Sequence, residues 1–285
     1  MILYKYLSPD RIDVIQNLKI RFTQPLYLND PYESNPNITG TEMTNEQWDK
    51  IAEIEAERNG LNLEQFAHLK TKENRDIAFP DALQLMKVFF HHTIGVLSLS
   101  ETFDNPLMWA HYCKNHSGFV IGLKTDNSFF YSSKKPFTVD NLSKVIYSES
   151  RPNITIENLK MEHMYFTKSD YWSYEREWRL LKKTEAADLS LNGGEVCLYN
   201  ISSDIIESVY IGANCSKELE EKIVASVRAC KGRIQVFKMV LNESNFDIDY
   251  IRYESWLDLK KDIMDNRSIL FAMEDIRQYL HSKNK

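Results

Sequence analysis

A chain of 285 residues that is 43% hydrophobic and 27% charged has the composition of an ordinary globular protein, which excludes collagen-like, disordered and disulfide-knot scaffolds. With 35 basic against 41 acidic side chains, a net of −6, it lacks the overall basic surface that phosphate neutralisation needs, so nucleic acid is not expected as its main partner. The length allows one large domain or two small ones, either able to bury a core unaided.

Ile2 to Leu7 alternates apolar and polar residues as far as Ser8-Pro9, the pattern of a first strand. Lys5 interrupts the N-terminal residues before any signal-peptide apolar core develops, which predicts a cytoplasmic protein. Ser8 caps a predicted helix over Pro9 to Leu18, and Ile20 to Thr23 reads as a second strand stopped by Pro25. Tyr27 to Glu33 is a turn-rich loop, because Asn29-Asp30-Pro31 starts turns and bars helix before the proline.

Residues 41–91 are glycine-poor and read as a helical insertion. Trp48, Ile51 and Ile54 mark one amphipathic helix, and Ala82, Leu85, Met86, Phe89 and Phe90 another. Between Thr41 and Glu64 the acids Glu42, Glu46, Asp49, Glu53, Glu55, Glu57 and Glu64 outnumber Lys50 and Arg58. That run is a solvated face, or, through residues 46–58, a dock for a cationic protein partner. The apolar stretch Val88 to Ser100 is too short to span a bilayer and carries His91 and His92, so no membrane partner is expected.

Ile94 to Ser100 has a buried-strand pattern. Asn105-Pro106 then starts a helix that runs to about Asn115, Gly118 ends it, and Phe119 to Leu123 is a further strand. Later strands are predicted at Lys144 to Tyr147, Trp178 to Leu181, Val196 to Asn200, Ser208 to Gly212 and Ile234 to Leu241. One helix is predicted from Ser216 to Cys230, with Leu219, Ile223, Val224 and Val227 on one face. A last helix, capped by Ser255, carries Trp256, Leu259, Ile263, Leu270, Met273 and Ile276. Helices and strands mix without a regular βαβ repeat, which predicts an α+β fold around a mixed, mainly antiparallel central sheet. The expected organisation is a single domain over residues 1–254, including the insertion at 41–91, with a C-terminal helix at 255–285 packed on it.

Cys113, Cys197, Cys215 and Cys230 are too scattered for a zinc knuckle or a disulfide framework. Walker loops, dinucleotide glycine fingerprints, zinc helices and nucleophile elbows are absent, and the adjacent pair His91-His92 suits one metal poorly, so no metal site is expected. Three polar clusters remain. They are Tyr4-Lys5-Tyr6 with Asn29, Asp30, Tyr32 and Glu33; Ser98 and Ser100 with Trp109, His111 and Tyr112; and the run from Trp172 to Arg179. Rings dense beside carboxylates, His and Arg form the mixture that clamps a flat, polar small molecule.

In order and local wording these clusters resemble an uncharacterised bacterial and phage domain-of-unknown-function family. Its marks stand here at Tyr4 to Tyr6, Asn29 to Glu33, Ser98 to Ser100, Met108 to Tyr112 with Gly118, and Tyr174 to Arg179. The resemblance covers roughly residues 1–240 and implies an accessory or effector protein of defence and mobile-element regions. A more distant similarity is to ADP-ribosyltransferases, with Glu175-Arg176-Glu177 similar to the Glu-x-Glu of the arginine-directed branch and Lys5 or Tyr6 standing where those enzymes carry Arg or His. That similarity implies an ADP-ribosyltransferase-like fold and NAD as substrate. A carboxylate near the ribose would stabilise the charge that develops as nicotinamide leaves.

The resulting expectation is a nucleotide-binding enzyme with Glu177, Glu175 and His111 as catalytic groups. Tyr4, Lys5, Tyr6, Asn29, Asp30, Glu33, Ser98, Ser100, Trp109, Tyr112 and Arg179 would bind substrate. Blander readings stand beside it. Glu177 and Arg179 share a strand face and so form a structural ion pair; Asp30 is a turn-former; Trp109 and Tyr112 are core; Ser98 and Ser100 satisfy backbone groups. A non-catalytic sensor and a nuclease using Asp30, Glu33 and Glu177 are the alternatives.

Overall fold

The computed structural model describes residues 1–59, 62, 64, 71–132 and 135–265, and the elements below lie within them. The first part holds β1 (Ile2–Leu7), α1 (Asp13–Asn17), β2 (Lys19–Phe22), β3 (Asn37–Ile38), α2 (Asn45–Asn59) and α3 (Lys72–Thr93). Next come β4 (Ile94–Ser100), α4 (Pro106–Tyr112), β5 (Phe119–Lys124), β6 (Ser143–Lys144), β7 (Ile146–Ser148), β8 (Asn153–Ile154), α5 (Met161–Tyr165) and β9 (Thr167–Ser169). The last part holds β10 (Glu177–Lys183), β11 (Leu189–Leu191), β12 (Val196–Asn200), β13 (Ile206–Ile211), α6 (Lys217–Ala229), β14 (Gln235–Leu241), β15 (Ile248–Arg252) and α7 (Tyr253–Asp265).

Eight strands form one sheet in the order β15-β14-β13-β5-β1-β4-β10-β6. Every neighbour pair in it is antiparallel except β13 with β14, which α6 joins as a crossover. The fold is therefore α+β around a mixed, mostly antiparallel sheet. A smaller sheet, β11-β12-β2, covers one face together with α1 and α6. Leu3, Leu7, Leu97, Leu99, Ile121, Leu180, Ile223 and Val227 fill the core between them, each side chain contributing about 1.5–3 kcal/mol on burial. Tyr6, Met108, Trp109, Val120, Tyr210 and Phe237 form a second cluster on the face that α4 covers. Two caps secure these helices: Asn105 Oδ1 accepts from the Leu107 N–H at 2.9 Å, and Ser216 Oγ from the Leu219 N–H at 3.3 Å.

One irregularity positions the site. β4 pairs with β10 along its whole length, from Ser100 opposite Glu177 to Ile94 opposite Lys183, yet it meets β1 at a single register position, Tyr4 opposite Ser100. Beyond that point Val96 pairs with Thr23 at the end of β2, its N–H donating to the Thr23 carbonyl at 2.8 Å and its carbonyl accepting at 2.9 Å. β1 and β2 therefore diverge along the same edge of β4 and leave a wedge between them.

Several elements differ from their sequence-based expectation. The helix expected over Pro9 to Leu18 breaks into a 3₁₀ turn (Pro9–Ile12) and α1, because Arg11 leaves helical geometry (φ −95°, ψ 22°), and Leu18 closes α1 at φ 50°. The strand expected at Lys144 to Tyr147 divides into β6 and β7, since the Val145 N–H bonds Glu177 and the Ile146 N–H bonds Phe166. In the 41–91 segment α3 continues through Pro80, and only part of the apolar stripe is packed away: Phe90 rests on the cluster of Met164, Tyr165 and Phe166, while Leu85 is 72% and Phe89 62% exposed. Ser255 lies inside the first turn of α7, which Tyr253 opens. Leu270, Met273 and Ile276 lie outside the described residues.

Candidate functional site

The wedge between β1 and β2, floored by β4, opens into a cavity of about 260 Å³, the β1/β4 cavity. Tyr4, Lys5 and Tyr6 line it from β1, Ser98 and Ser100 from β4, and Glu177 and Arg179 from β10. Asn29 and Glu33 come from the loop after β2, Met108 and Tyr112 from α4, Lys168 from β9, and Glu175 from the turn before β10. The pleat explains the strand contributions. Ser98 lies opposite Arg179 and Ser100 opposite Glu177, so all four point to one face, the face of Tyr4. Lys5 starts on the opposite face with Leu3 and Leu7, and it reaches the wedge because no ladder closes it; its Nζ donates to the Ser98 carbonyl at 3.0 Å.

The cavity wall is an ion network. Lys168 Nζ lies 2.6 Å from Glu175 Oε2, 2.8 Å from Glu33 Oε1 and 3.3 Å from Glu177 Oε2. Arg179 grips Glu177 with two bonds, Nε to Oε1 at 2.8 Å and Nη2 to Oε2 at 3.0 Å, and also donates to the Tyr165 carbonyl at 2.7 Å and to Glu33 Oε2. The Tyr112 hydroxyl donates to Glu175 Oε1 and accepts from Asn29 Nδ2 at 3.2 Å. Ser100 Oγ donates to the Glu175 carbonyl at 2.7 Å, fixing the turn that presents this carboxylate.

Proton affinities diverge within this wall. Burial would raise the Glu177 carboxyl, but the charges of Arg179 and Lys168 outweigh it and hold Glu177 ionised, far below the carboxylate range. Glu175 goes the other way: burial raises it, Lys168 opposes this only in part, and the Glu177 charge adds to the rise. Lys5 is depressed to about 8 by burial, with Glu177 offsetting only part of the loss. Burial, reinforced by the Glu175 charge, keeps the Tyr112 phenol protonated. Two neighbouring carboxylates with opposite protonation tendencies are the arrangement from which acid and base roles arise.

Of the residues singled out in the sequence, Tyr4, Lys5, Tyr6, Asn29, Glu33, Ser98, Ser100, Tyr112, Glu175, Glu177 and Arg179 meet at this one cavity. Three do not. Trp109 is fully buried, its Nε1 donating to the Phe103 carbonyl at 2.7 Å and its ring edge-on to Tyr6 at 5.7 Å, so it props Tyr6 from behind. His111 is exposed outside the cavity: Met108 and Tyr112, one turn apart, present the lining face of α4, and His111 is rotated about 100° from it. Asp30 faces the adjoining cavities and accepts the Tyr32 N–H at 2.9 Å, the turn-forming role. The nuclease alternative meets an obstacle here, since Lys168 Nζ occupies the point between Glu33 and Glu177 where a cation would sit. Among the described residues no group of three or more His, Cys, Asp or Glu could hold a metal ion.

Lys168 and Thr23 belong to the lining and were not read from the sequence. Lys168 sits in a strand of three residues, Thr167–Ser169, with no periodicity to flag it; the signal available was a lone lysine just after the apolar run Met164-Tyr165-Phe166.

Residues 108–180 match a family described as a protein of unknown function (DUF2971). The matched stretch contains Met108, Tyr112, Lys168, Glu175, Glu177 and Arg179, a third of the cavity wall, and ends within β10. No curated protein and no solved structure matches the chain. No helix among the described residues is long and apolar enough to cross a membrane.

Proposed function

We propose that the chain binds a nucleotide in the β1/β4 cavity and breaks its ribosyl bond, with NAD as the substrate to test. The observation that carries this reading is that Glu175 and Glu177 open on one cavity beside Tyr4, Tyr6 and Tyr112, one held ionised and the other inclined to hold a proton. A volume of about 260 Å³ lies just under the range of roughly 300–1,000 Å³ usual for ligand pockets, a size for one ring-and-sugar half of a dinucleotide. Cleavage sends the bonding pair to the nicotinamide nitrogen and leaves positive charge on the ribose. Glu177, fixed by Arg179, supplies the standing negative charge that opposes it, and Glu175, in its ionised form the stronger base of the two because its proton affinity is raised, takes the proton of the attacking water or acceptor. The cellular setting, an effector of a bacterial defence or mobile-element system, rests on the resemblance of the sequence marks alone.

Nicotinamide release from NAD by the purified protein tests the reading. Glu175→Gln should reduce the rate by about 10²-fold or more. No release, or equal release by wild type and variant, removes it. A second reading, a non-catalytic module that binds a cationic protein, is favoured by the outward side chains of Glu46, Asp49, Glu53 and Glu57 on α2. It would survive loss of Glu175 and fail on reversing the charges at Glu53 and Glu57.

A further inference from the structure

A second cavity, of about 420 Å³, lies behind the first and shares Glu33 and Lys168 with it. A third adjoins both and shares Asn35 with the second. Two cations converge on Asn35 at this seam. Lys87 Nζ donates to Asn35 Oδ1 at 2.7 Å, and Arg151 Nη1 donates to the Asn35 carbonyl at 3.3 Å. Among the described residues neither has a carboxylate within ion-pair distance. Beside them Ser34, 2% exposed and held at φ 54°, carries a buried hydroxyl without a hydrogen-bond partner. Like charges tethered together without a counter-ion repel each other, and an anion between them removes that cost.

The second cavity also carries three aromatic side chains, Tyr32, Tyr171 and Trp172, among prolines, serines and other polar residues. Tyr171 is 87% and Tyr32 66% exposed, and Trp172 stands beside Tyr171. The Arg151 guanidinium already lies over the Tyr32 ring at 5.8 Å, and Lys168 Nζ lies 4.8 Å from the Trp172 ring. The carboxylates in the lining do not compete strongly for the anion: Glu33 is consumed by Lys168 and Arg179, Asp30 accepts the Tyr32 N–H, and Glu149 is exposed.

We propose that this seam is a second nucleotide site, in which Lys87, Arg151 and Ser34 hold the phosphate and Tyr171 with Trp172 receive the ring. Its basis is separate from the reaction at Glu175. The test is calorimetric titration of the full chain with AMP, adenosine and inorganic phosphate. AMP should bind at least tenfold tighter than either fragment. The double variant Lys87→Ala/Arg151→Ala should lose that advantage while still binding adenosine, and Tyr171→Ala should weaken AMP and adenosine alike. The proposal falls if AMP binds no tighter than adenosine, if inorganic phosphate binds as tightly as AMP, or if the double variant, shown folded by its thermal melt, binds AMP unchanged.

Discussion

Glu175 and Glu177 share a single ammonium: Lys168 Nζ lies 2.6 Å from the first and 3.3 Å from the second. The residue between them, Arg176, sits in the left-handed region at φ 44° and turns the chain from a 3₁₀ segment (Asp170–Glu175) into β10. That turn brings both carboxylates to one wall and gives them different partners, Tyr112 for Glu175 and Arg179 for Glu177. The following consequences can be measured.

Removing Arg179 leaves Glu33 and Glu177 buried without their strongest counter-charge. Arg179→Met should cost about 3–5 kcal/mol in urea unfolding, the usual result of breaking a buried ion network from one side. A loss below about 1 kcal/mol would mean the network is far more hydrated than its burial indicates.

The two glutamates should imprint opposite pH dependences on stability. Glu177, with its proton affinity depressed, contributes stability that is present above its ordinary value of 4.5 and is lost as pH falls below it. Glu175, with its affinity raised, favours the folded state below 4.5 and loses that contribution as pH rises through its elevated value. Glu175→Gln mimics the protonated form. It should therefore be neutral at pH 4 and stabilising relative to wild type at pH 7–8, as read from urea midpoints, and an equal effect at both pH values contradicts the assignment.

At pH 8 about half of the Lys5 side chains should be neutral, since burial lowers Lys5 to about 8, against roughly 0.4% for an ordinary lysine. Brief treatment with an aldehyde and borohydride at that pH, followed by peptide mass mapping, should therefore label Lys5 ahead of the surface lysines. A ligand in the β1/β4 cavity should protect it. Labelling no faster than at exposed Lys217 would show that Lys5 is either fully charged or out of reach.

Gly118 closes α4 onto β1. A Cβ there would lie 2.1 Å from the Leu7 carbonyl oxygen, which is backbone in a strand and has no room to retreat. Gly118→Ala should destabilise by about 3 kcal/mol or more and loosen the Tyr6 and Trp109 contact, visible as a change in near-ultraviolet circular dichroism.

Much of the site was legible because its residues come in dense local groups. Tyr4-Lys5-Tyr6 on an alternating strand and Glu175 to Arg179 before another announce themselves by composition, and the two-residue pleat already puts Glu177 and Arg179 on one face. The helix period gives relative directions only, so it left open whether Trp109 and His111 would face a substrate or, as the core reading of Trp109 has it, the sheet. Which of the faces of α4 meets the sheet depends on Tyr6 and Phe103, residues 103 and 6 positions away. Lys168 was missed for the same reason, as its importance comes from Glu33, Glu175 and Glu177, and nothing in its immediate neighbours marks it.

By itself the sequence determined the short-range features: β1, β4 and β5 from their apolar patterns, the Asn105 and Ser216 caps from local side-chain chemistry, and an α+β class from the irregular order of elements. The tertiary structure alone decided that β1 and β2 part along β4, that the gap is lined by ionised groups, and that Glu175 and Glu177 hold their protons so differently. The reason is one of range. Hydrogen-bond caps and pleats act over a few residues, whereas a buried charge responds to whatever the fold brings within a few ångströms, from any distance along the chain.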